Sequence, residues 1–146
     1  QFENKLNTTT DIHEINSYIL NLMLAYSQYL ANMKEEKILD LISNAKDYID
    51  QHLCDTDLTA DSVALSMDYN ATYLNRIFKS QYAMSMKEYI NISRVELAKK
   101  LLIETDLSTL EISSKLGLEN SNYFYTFFKK HTGSTPNQYR IDHKQT

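Results

Sequence analysis

Residues 59–79 read TADSVALSMDYNATYLNRIFK, and residues 109–130 read TLEISSKLGLENSNYFYTFFKK. The two stretches carry one pattern. Val63-Ala64 matches Ile112-Ser113 at an offset of 49, whereas Leu74, Phe78 and Lys79 match Phe124, Phe128 and Lys129 at an offset of 50. The extra residue of the second copy therefore falls in a turn. Each copy reads as a short helix, a tight turn and a longer helix ending in Phe-Lys, which is the plan of a helix-turn-helix.

The longer helix of each copy has a divided surface. Leu74, Ile77 and Phe78 share one side of the first, while Thr72, Asn75, Arg76 and Lys79 recur at i, i+3, i+4 and i+7 on the other. In the second, Phe124, Phe127 and Phe128 point inward, and Asn122, Tyr125, Thr126 and Lys129 point outward. A merely solvated helix face would normally mix in glutamate, and neither outward face carries an acid. Amides, hydroxyls, arginine and lysine suit a DNA major groove: asparagine pairs with adenine, arginine with guanine, and lysine neutralises phosphate. The expected DNA contacts are thus Thr72, Tyr73, Asn75, Arg76 and Lys79 in one groove. Ser121, Asn122, Tyr125, Thr126, Lys129 and Lys130 are expected to act, less strongly as base readers, one turn along the duplex.

Between the copies, residues 86–104 read as one helix with Tyr89, Ile90, Val95, Ala98, Leu101 and Leu102 on its apolar side. Nineteen residues at 1.5 Å each span about 28 Å, close to the roughly 34 Å between successive major-groove entries on one face of B-DNA. A rigid connector of that length sets two reading helices in adjacent grooves. Cap residues punctuate the region. Thr59 and Asn70 open helices, Ser85 with Glu88 and Ser108 with Glu111 form capping boxes, and Thr135 with Gln138 has the same form with Pro136 at the first helical position. Gly117 and Gly133 fall where helices stop.

Upstream, residues 11–34 form a helix with a seam at Ile12, Ile15, Ile19, Leu22, Tyr26, Tyr29 and Met33, the 3–4 spacing of a coiled coil. Tyr18, Leu20, Met23, Leu24 and Leu30 widen the stripe. Such a helix packs against something: a second copy, an upstream domain, or the rest of this chain. Lys34-Glu35-Glu36-Lys37 interrupts the stripe, and a second helix is expected from Ile38 to Leu53, ending in the Asp55-Thr56-Asp57 loop. The chain begins Gln1-Phe2-Glu3 without methionine, as a piece of a longer protein would.

Composition narrows the fold to all-α. With 2 glycines and 1 proline in 146 residues there is too little turn chemistry for a β-sandwich or a parallel α/β fold, while 42% hydrophobic and 23% charged residues suit a packed core. No apolar run is long enough for a membrane span. Cys54 is the lone cysteine, which excludes a disulfide framework, suits a reducing compartment, and reads as a buried helix-end residue. The net charge of −4 hides a split: residues 1–68 hold 4 Lys/Arg and 12 Asp/Glu, whereas residues 69–146 hold 11 and 7. A basic half on an acidic chain fits contact with a polyanion, although uneven solvation alone produces the same asymmetry.

These residues resemble the DNA-binding domain of the AraC/XylS family of bacterial transcription regulators over roughly Ile38 to Asp142. The carriers are Tyr73-Leu74-Asn75-Arg76-Ile77-Phe78-Lys79, then Arg94-Val95, Ala98 and Leu101-Leu102. Gly117-Leu118, Tyr123-Phe124, Phe128-Lys129-Lys130, Gly133, Thr135-Pro136 and Tyr139-Arg140 complete the string. The resemblance implies two helix-turn-helix subdomains joined by a long helix, binding of double-stranded promoter DNA, and activation through RNA polymerase. It divides the chain into a linker or dimerisation helix (1–37), the DNA-binding domain (38–142) and a tail (143–146), with a cytoplasmic, nucleoid-associated location. Asn122-Tyr123-Phe124 is similar to members that are response regulators. Three positions depart from the family: Ala83 replaces a turn glycine, Leu118 a phenylalanine, and Thr126 the arginine of the second reading helix. The last weakens the expected guanine reading by that helix.

No catalytic chemistry competes. His13, His52, His131 and His143 are scattered without ligand spacing, no glycine-rich phosphate loop exists, and neither a metal nor a cofactor is expected. The alternative function is a helical protein-interaction module, or an anti-activator of the same fold that no longer binds DNA.

Overall fold

Helix starts fall on the marked caps. The Ser62 N–H donates to Thr59 Oγ1 (3.1 Å), and the Tyr73 N–H to Asn70 Oδ1 (3.1 Å). Ser85 and Glu88 close a reciprocal box, with Ser85 N–H donating to Glu88 Oε2 (2.7 Å) and Glu88 N–H to Ser85 Oγ (3.2 Å). Ser108 and Glu111 repeat it at the same distances. Each cap satisfies donors that the first helical turn leaves open, at about 1 kcal/mol apiece.

The computed structural model describes residues 3–144 apart from Glu119. Seven helices follow one another: α1 (Glu3–Gln51), α2 (Ala60–Ser66), α3 (Ala71–Tyr82), α4 (Met86–Glu104), α5 (Thr109–Lys115), α6 (Ser121–Thr132) and α7 (Pro136–Lys144). No strand occurs among the described residues. The chain divides into two compact bodies, residues 1–41 and 42–146.

In the first body, α1 runs without interruption through Lys34-Glu35-Glu36-Lys37, where the sequence suggests a boundary. The charged tetrad breaks the apolar stripe but not the backbone ladder, because lysine and glutamate are good helix formers and no glycine or proline intervenes. The side chains of the seam are open to solvent, from Ile12 at 56% to Tyr26 at 64% and Met33 at 36%.

The second body contains two units of one design. Ile42, Ala45 and Ile49, at the end of α1, are buried, as are Val63, Leu74, Ile77 and Phe78 of the first unit. In the second unit Val95, Ala98 and Leu102, with the same 3–4 spacing on the last half of α4, close over Ile112, Leu116, Phe124, Phe127 and Phe128. α4 therefore belongs to both units, starting at the end of the first and acting as the backing helix of the second. Each fully buried phenylalanine contributes up to about 3 kcal/mol.

Long cations tie the units to the loops before them. Arg94, only 7% exposed, donates from Nε to the Leu53 carbonyl (3.1 Å) and from Nη2 to the Asp55 carbonyl (2.8 Å). Arg140 does the same one unit on, from Nε to the Leu102 carbonyl (3.1 Å) and from Nη2 to Leu107. Between the Leu53 and Asp55 carbonyls held by Arg94, the Cys54 side chain is left at the surface. Cys54 is exposed, not the buried helix-end residue expected from sequence.

The turns after the longer helices close alike. Ala83 (φ 57°) and Gly133 (φ 82°) both adopt the left-handed conformation, each donating its N–H to a lysine carbonyl four residues back, Lys79 and Lys129 respectively (2.9 Å each). The loss of the family's glycine at Ala83 has thus left the turn geometry intact.

Candidate nucleic-acid interface

α3 and α6 are the second helices of the two units, and each buries its apolar side as the periodicity dictates: Leu74, Ile77 and Phe78 in one, Phe124, Phe127 and Phe128 in the other. What remains outward decides the site. On α3, Thr72, Arg76 and Lys79 are exposed, and Tyr73 and Asn75 are half-buried. The Arg76 guanidinium lies over the Tyr73 ring, 5.5 Å from its centroid, and Tyr73 in turn stacks on Tyr69 at 6.2 Å. Tyr73 is thus a platform beneath Arg76, and the cation–π contact narrows the arginine's conformational freedom.

Asn75 is engaged before any ligand arrives. Its Oδ1 accepts the Met86 N–H (2.9 Å), fixing the start of α4 to the middle of α3. Tyr125, fifty positions on, has the corresponding role, with its hydroxyl oxygen accepting from Asn137 Nδ2 (2.7 Å) on α7. The Asn75 amide nitrogen has no acceptor among the described residues, which leaves its two donors available.

On α6, Asn122, Thr126, Lys129 and Lys130 are exposed, and Ser121 and Tyr125 are half-buried. The Thr126 hydroxyl lies within reach of two carbonyls of its own helix, Tyr123 (3.0 Å) and Asn122 (3.3 Å). With its proton held there, the outward chemistry of Thr126 is a methyl group and a lone pair.

Three clefts connect the two helices. The first, of about 510 Å³, lies between α2 and α3 and is lined by Ala60, Asp61, Thr72, Asn75, Arg76 and Lys79. The second, about 350 Å³, shares Ala60 and Asp61 with it and adds Lys87, Asn91, Arg94 and Tyr123. The third, about 460 Å³, shares Lys87, Asn91 and Tyr123 and ends on Thr126, Lys130 and His131. From Arg76 to Thr126 the three clefts thus form a series, a furrow in which each shares lining residues with the next. Sequence analysis had assigned no role to the furrow's midpoint, Lys87, Asn91 and Tyr123. The sequence signal is partial: Tyr123 sits fifty positions after Tyr73, but the periodicity of α4 marks only its buried side.

The charges are partitioned. Lys46–Asp50 (2.6 Å), Lys99–Glu96 (2.7 Å), Lys100–Glu104 (4.0 Å) and Lys144–Asp106 are ion pairs, none on α3 or α6. Arg76, Lys79, Lys87, Lys129 and Lys130 have no carboxylate partner among the described residues. The acids bordering the furrow are Asp61 and Glu88. Glu88 is turned into its capping box, whose hydrogen bonds from Ser85 hold its carboxyl below the usual glutamate range. Among the described residues no group of three His, Cys, Asp or Glu is placed to hold a metal ion, and no helix is long and apolar enough to cross a membrane.

Two helix-turn-helix units with their second helices bordering one furrow define a double helix-turn-helix protein. A family model described as a helix-turn-helix domain matches residues 63–141. The chain is 40% identical over 93 residues to the uncharacterized HTH-type transcriptional regulator YtdP of Bacillus subtilis, covering 64% of this chain and 12% of that protein. It is similar to the C-terminal domain of AraT, a response regulator from Geobacillus stearothermophilus, with 36% identity, a TM-score of 0.69, and coverage of 70% and 84% of the two chains. The DNA-binding domain of AdpA, a global transcriptional factor solved with a target DNA, shares the fold at 20% identity and a TM-score of 0.67, over 71% and 93% of the two chains. The chain belongs to the AraC/XylS family of helix-turn-helix DNA-binding transcription regulators. It spans between 12% and 49% of the length of three curated relatives that it matches.

Proposed function

We propose that this domain reads a promoter sequence through two adjacent major grooves on one side of the duplex. Arg76 is the principal base reader, approaching guanine from its Tyr73 platform. Thr72 and the Asn75 amide nitrogen read beside it. On α6, Ser121 and Asn122 approach base edges from the first turn, the Thr126 methyl suits a thymine methyl, and Tyr125 holds the helix to α7 while bordering the groove. Lys79, Lys129 and Lys130 hold phosphates. The observation that carries this reading is the charge partition. The cations of α3 and α6 lack carboxylate partners among the described residues, in contrast to Lys46, Lys99, Lys100 and Lys144, so they meet phosphate without first breaking an ion pair.

The test is selection of bound duplexes from a random pool, followed by titration across salt. Two short motifs centred about 10–10.5 base pairs apart are expected. Arg76→Ala should cost about 1–3 kcal/mol and relax selectivity at one position, whereas Lys129→Ala should weaken all sequences alike and lower the salt slope by about one unit. Affinity that ignores both substitutions refutes the assignment of these faces. A chain that binds no duplex at low salt is instead the protein-interaction module of the alternative reading. Activation by contact with RNA polymerase, and the cytoplasmic setting this requires, are supported by family membership alone.

Residues 12–33 are proposed to pair with a second copy of the chain. The seam is continuous and solvent-open, and residues 15–33 carry no charge that would repel an identical helix. Sedimentation of the chain should show a dimer at micromolar concentration and a monomer for Ile15→Asp with Leu22→Asp. A wild-type monomer at 100-fold higher concentration excludes self-pairing. This division assigns 1–37 to linkage and association, 38–142 to DNA, and 143–146 to a tail.

A further inference from the structure

We infer that the first turn of α4, through Lys87 with Asn91 behind it, is a third anchoring point for DNA, holding a backbone phosphate midway between the two reading helices. The inference rests on the DNA-reading proposal and extends it to residues outside both helix-turn-helix surfaces.

Three observations carry it. Lys87, Asn91 and Tyr123 line both the second and the third cleft, so they occupy the middle of the furrow that runs from Arg76 to Thr126. Lys87 is exposed and unpaired among the described residues, in contrast to Lys99 and Lys100 further along the same helix, which are held by Glu96 and Glu104. Tyr123 is 53% exposed although aromatic, and its ring is braced against Phe127 at 5.8 Å and an interplanar angle of 23°.

The geometry of the duplex supplies the ligand. A protein entering two successive major grooves from one side faces the minor groove between them, bordered by two lines of phosphates. Whatever lies at the midpoint of the furrow meets those phosphates and not base edges in the major groove. A flexible lysine that meets phosphate as a point charge fits that position, and the half-buried Asn91 amide and the braced Tyr123 hydroxyl add donors to phosphate or sugar. The nearby Glu88 carboxylate stays turned into the Ser85 cap. The midpoint therefore contributes affinity and register without sequence information.

The measurement is binding of the 146-residue chain to two fluorescent duplexes, one selected from a random pool and one of arbitrary sequence, at several salt concentrations. Lys87→Gln should lower the slope of log affinity against log salt by about one unit and weaken binding to both duplexes by about five-fold at 0.15 M salt, leaving their ratio unchanged. Lys87→Arg should retain the wild-type slope, and Lys99→Gln, removing a lysine of the same helix outside the furrow, should leave both measurements untouched. Folding of each variant is checked by far-ultraviolet circular dichroism. If Lys87→Gln leaves the slope unchanged while Lys129→Ala lowers it, the anchor is refuted and the reading helices stand. If the wild-type chain shows no salt-dependent binding, the DNA-reading proposal fails and the anchor with it.

Discussion

Gly117→Ala tests how closely the two units are joined. Gly117 follows α5 with φ +67°, a conformation that costs an L-residue roughly 1–2 kcal/mol. That is the smaller part of the expected effect. A Cβ at this position would stand 2.7 Å from both the Cys54 and the Asp55 carbonyl oxygens, and 2.8 Å from the Asp55 carbonyl carbon. These are backbone atoms of the loop that Arg94 holds by its carbonyls, so no flexible side chain can yield. Forcing them apart adds roughly 1–3 kcal/mol of overpacking, for a total of about 2–5 kcal/mol. The matched control is Gly133→Ala. Gly133 also has positive φ (+82°), but nothing lies within 4 Å of its added Cβ, so only the conformational cost of roughly 1–2 kcal/mol applies. Urea unfolding followed by circular dichroism measures both variants. A Gly117→Ala loss no larger than that of Gly133→Ala would show that the 53–55 loop moves freely away from α5, and would remove the basis for treating the two units as one rigid reader.

Ala83→Gly should stabilise the chain by roughly 0.5–1 kcal/mol, because Ala83 holds the left-handed turn (φ 57°) that glycine adopts without penalty; unchanged or reduced stability in the same urea titration would contradict this. Glu88→Gln and Glu111→Gln address pH. Both carboxyls are held below the usual range by hydrogen bonds with Ser85 and Ser108, so their contribution is complete above the ordinary glutamate pKa of about 4.5 and is lost as pH falls through the lower folded value. The double variant should flatten the acid side of the stability–pH curve below about pH 4.5, and an unaltered acid limb would show that the caps do not act through charge. Thr126→Arg, restoring the residue usual in the family, should create guanine preference at one position of the second half-site, worth about 1–3 kcal/mol; repeated selection from a random pool would expose its absence.

The architecture was legible because its signals are local. Thr59, Asn70, Ser85 and Ser108 announce helix starts within four residues of sequence, and α4 begins and ends where its cap and periodicity require. Polarity is a poorer guide to position than caps are to helix starts. Lys34-Glu35-Glu36-Lys37 looks like a boundary only if a change of exposed face is mistaken for a break in hydrogen bonding. Arg94 is buried because its head group reaches carbonyls some 40 residues away in sequence, which no window around it reveals. Asn75 and Tyr125 lie on the side of their helices opposite the buried residues, but their hydrogen bonds to the next helix are tertiary facts that no local pattern displays. Reading them as freely presented side chains overestimates what they offer a base. The furrow's midpoint is illegible in sequence for the same reason, since it is lined jointly by α2, α4 and α6.

The repeat reaches further than the two helix-turn-helix segments, and this bears on why the reading helices keep their pose. Leu53 lies just beyond the end of α1 and Leu102 in the last turn of α4, where helical carbonyls lack intrahelical donors and carry the negative end of the dipole. Arg94 meets the first carbonyl and Arg140 the second. Lys144, fifty positions after Arg94, donates to the Thr105 carbonyl (3.2 Å), fifty positions after the Asp55 carbonyl that Arg94 also holds. Each unit thus has a cation from its last helix fastened to the end of its backing helix, while Asn75 or Tyr125 fastens its reading helix to that same last helix. Within each unit the last helix is therefore held to both the reading helix and the end of the backing helix. Because α4 is the last helix of the first unit and the backing helix of the second, the two sets of contacts share one element. A displacement of Arg76 relative to Thr126 then strains these hydrogen bonds or bends α4, which is what the proposed reading of two grooves at a fixed separation demands of the scaffold.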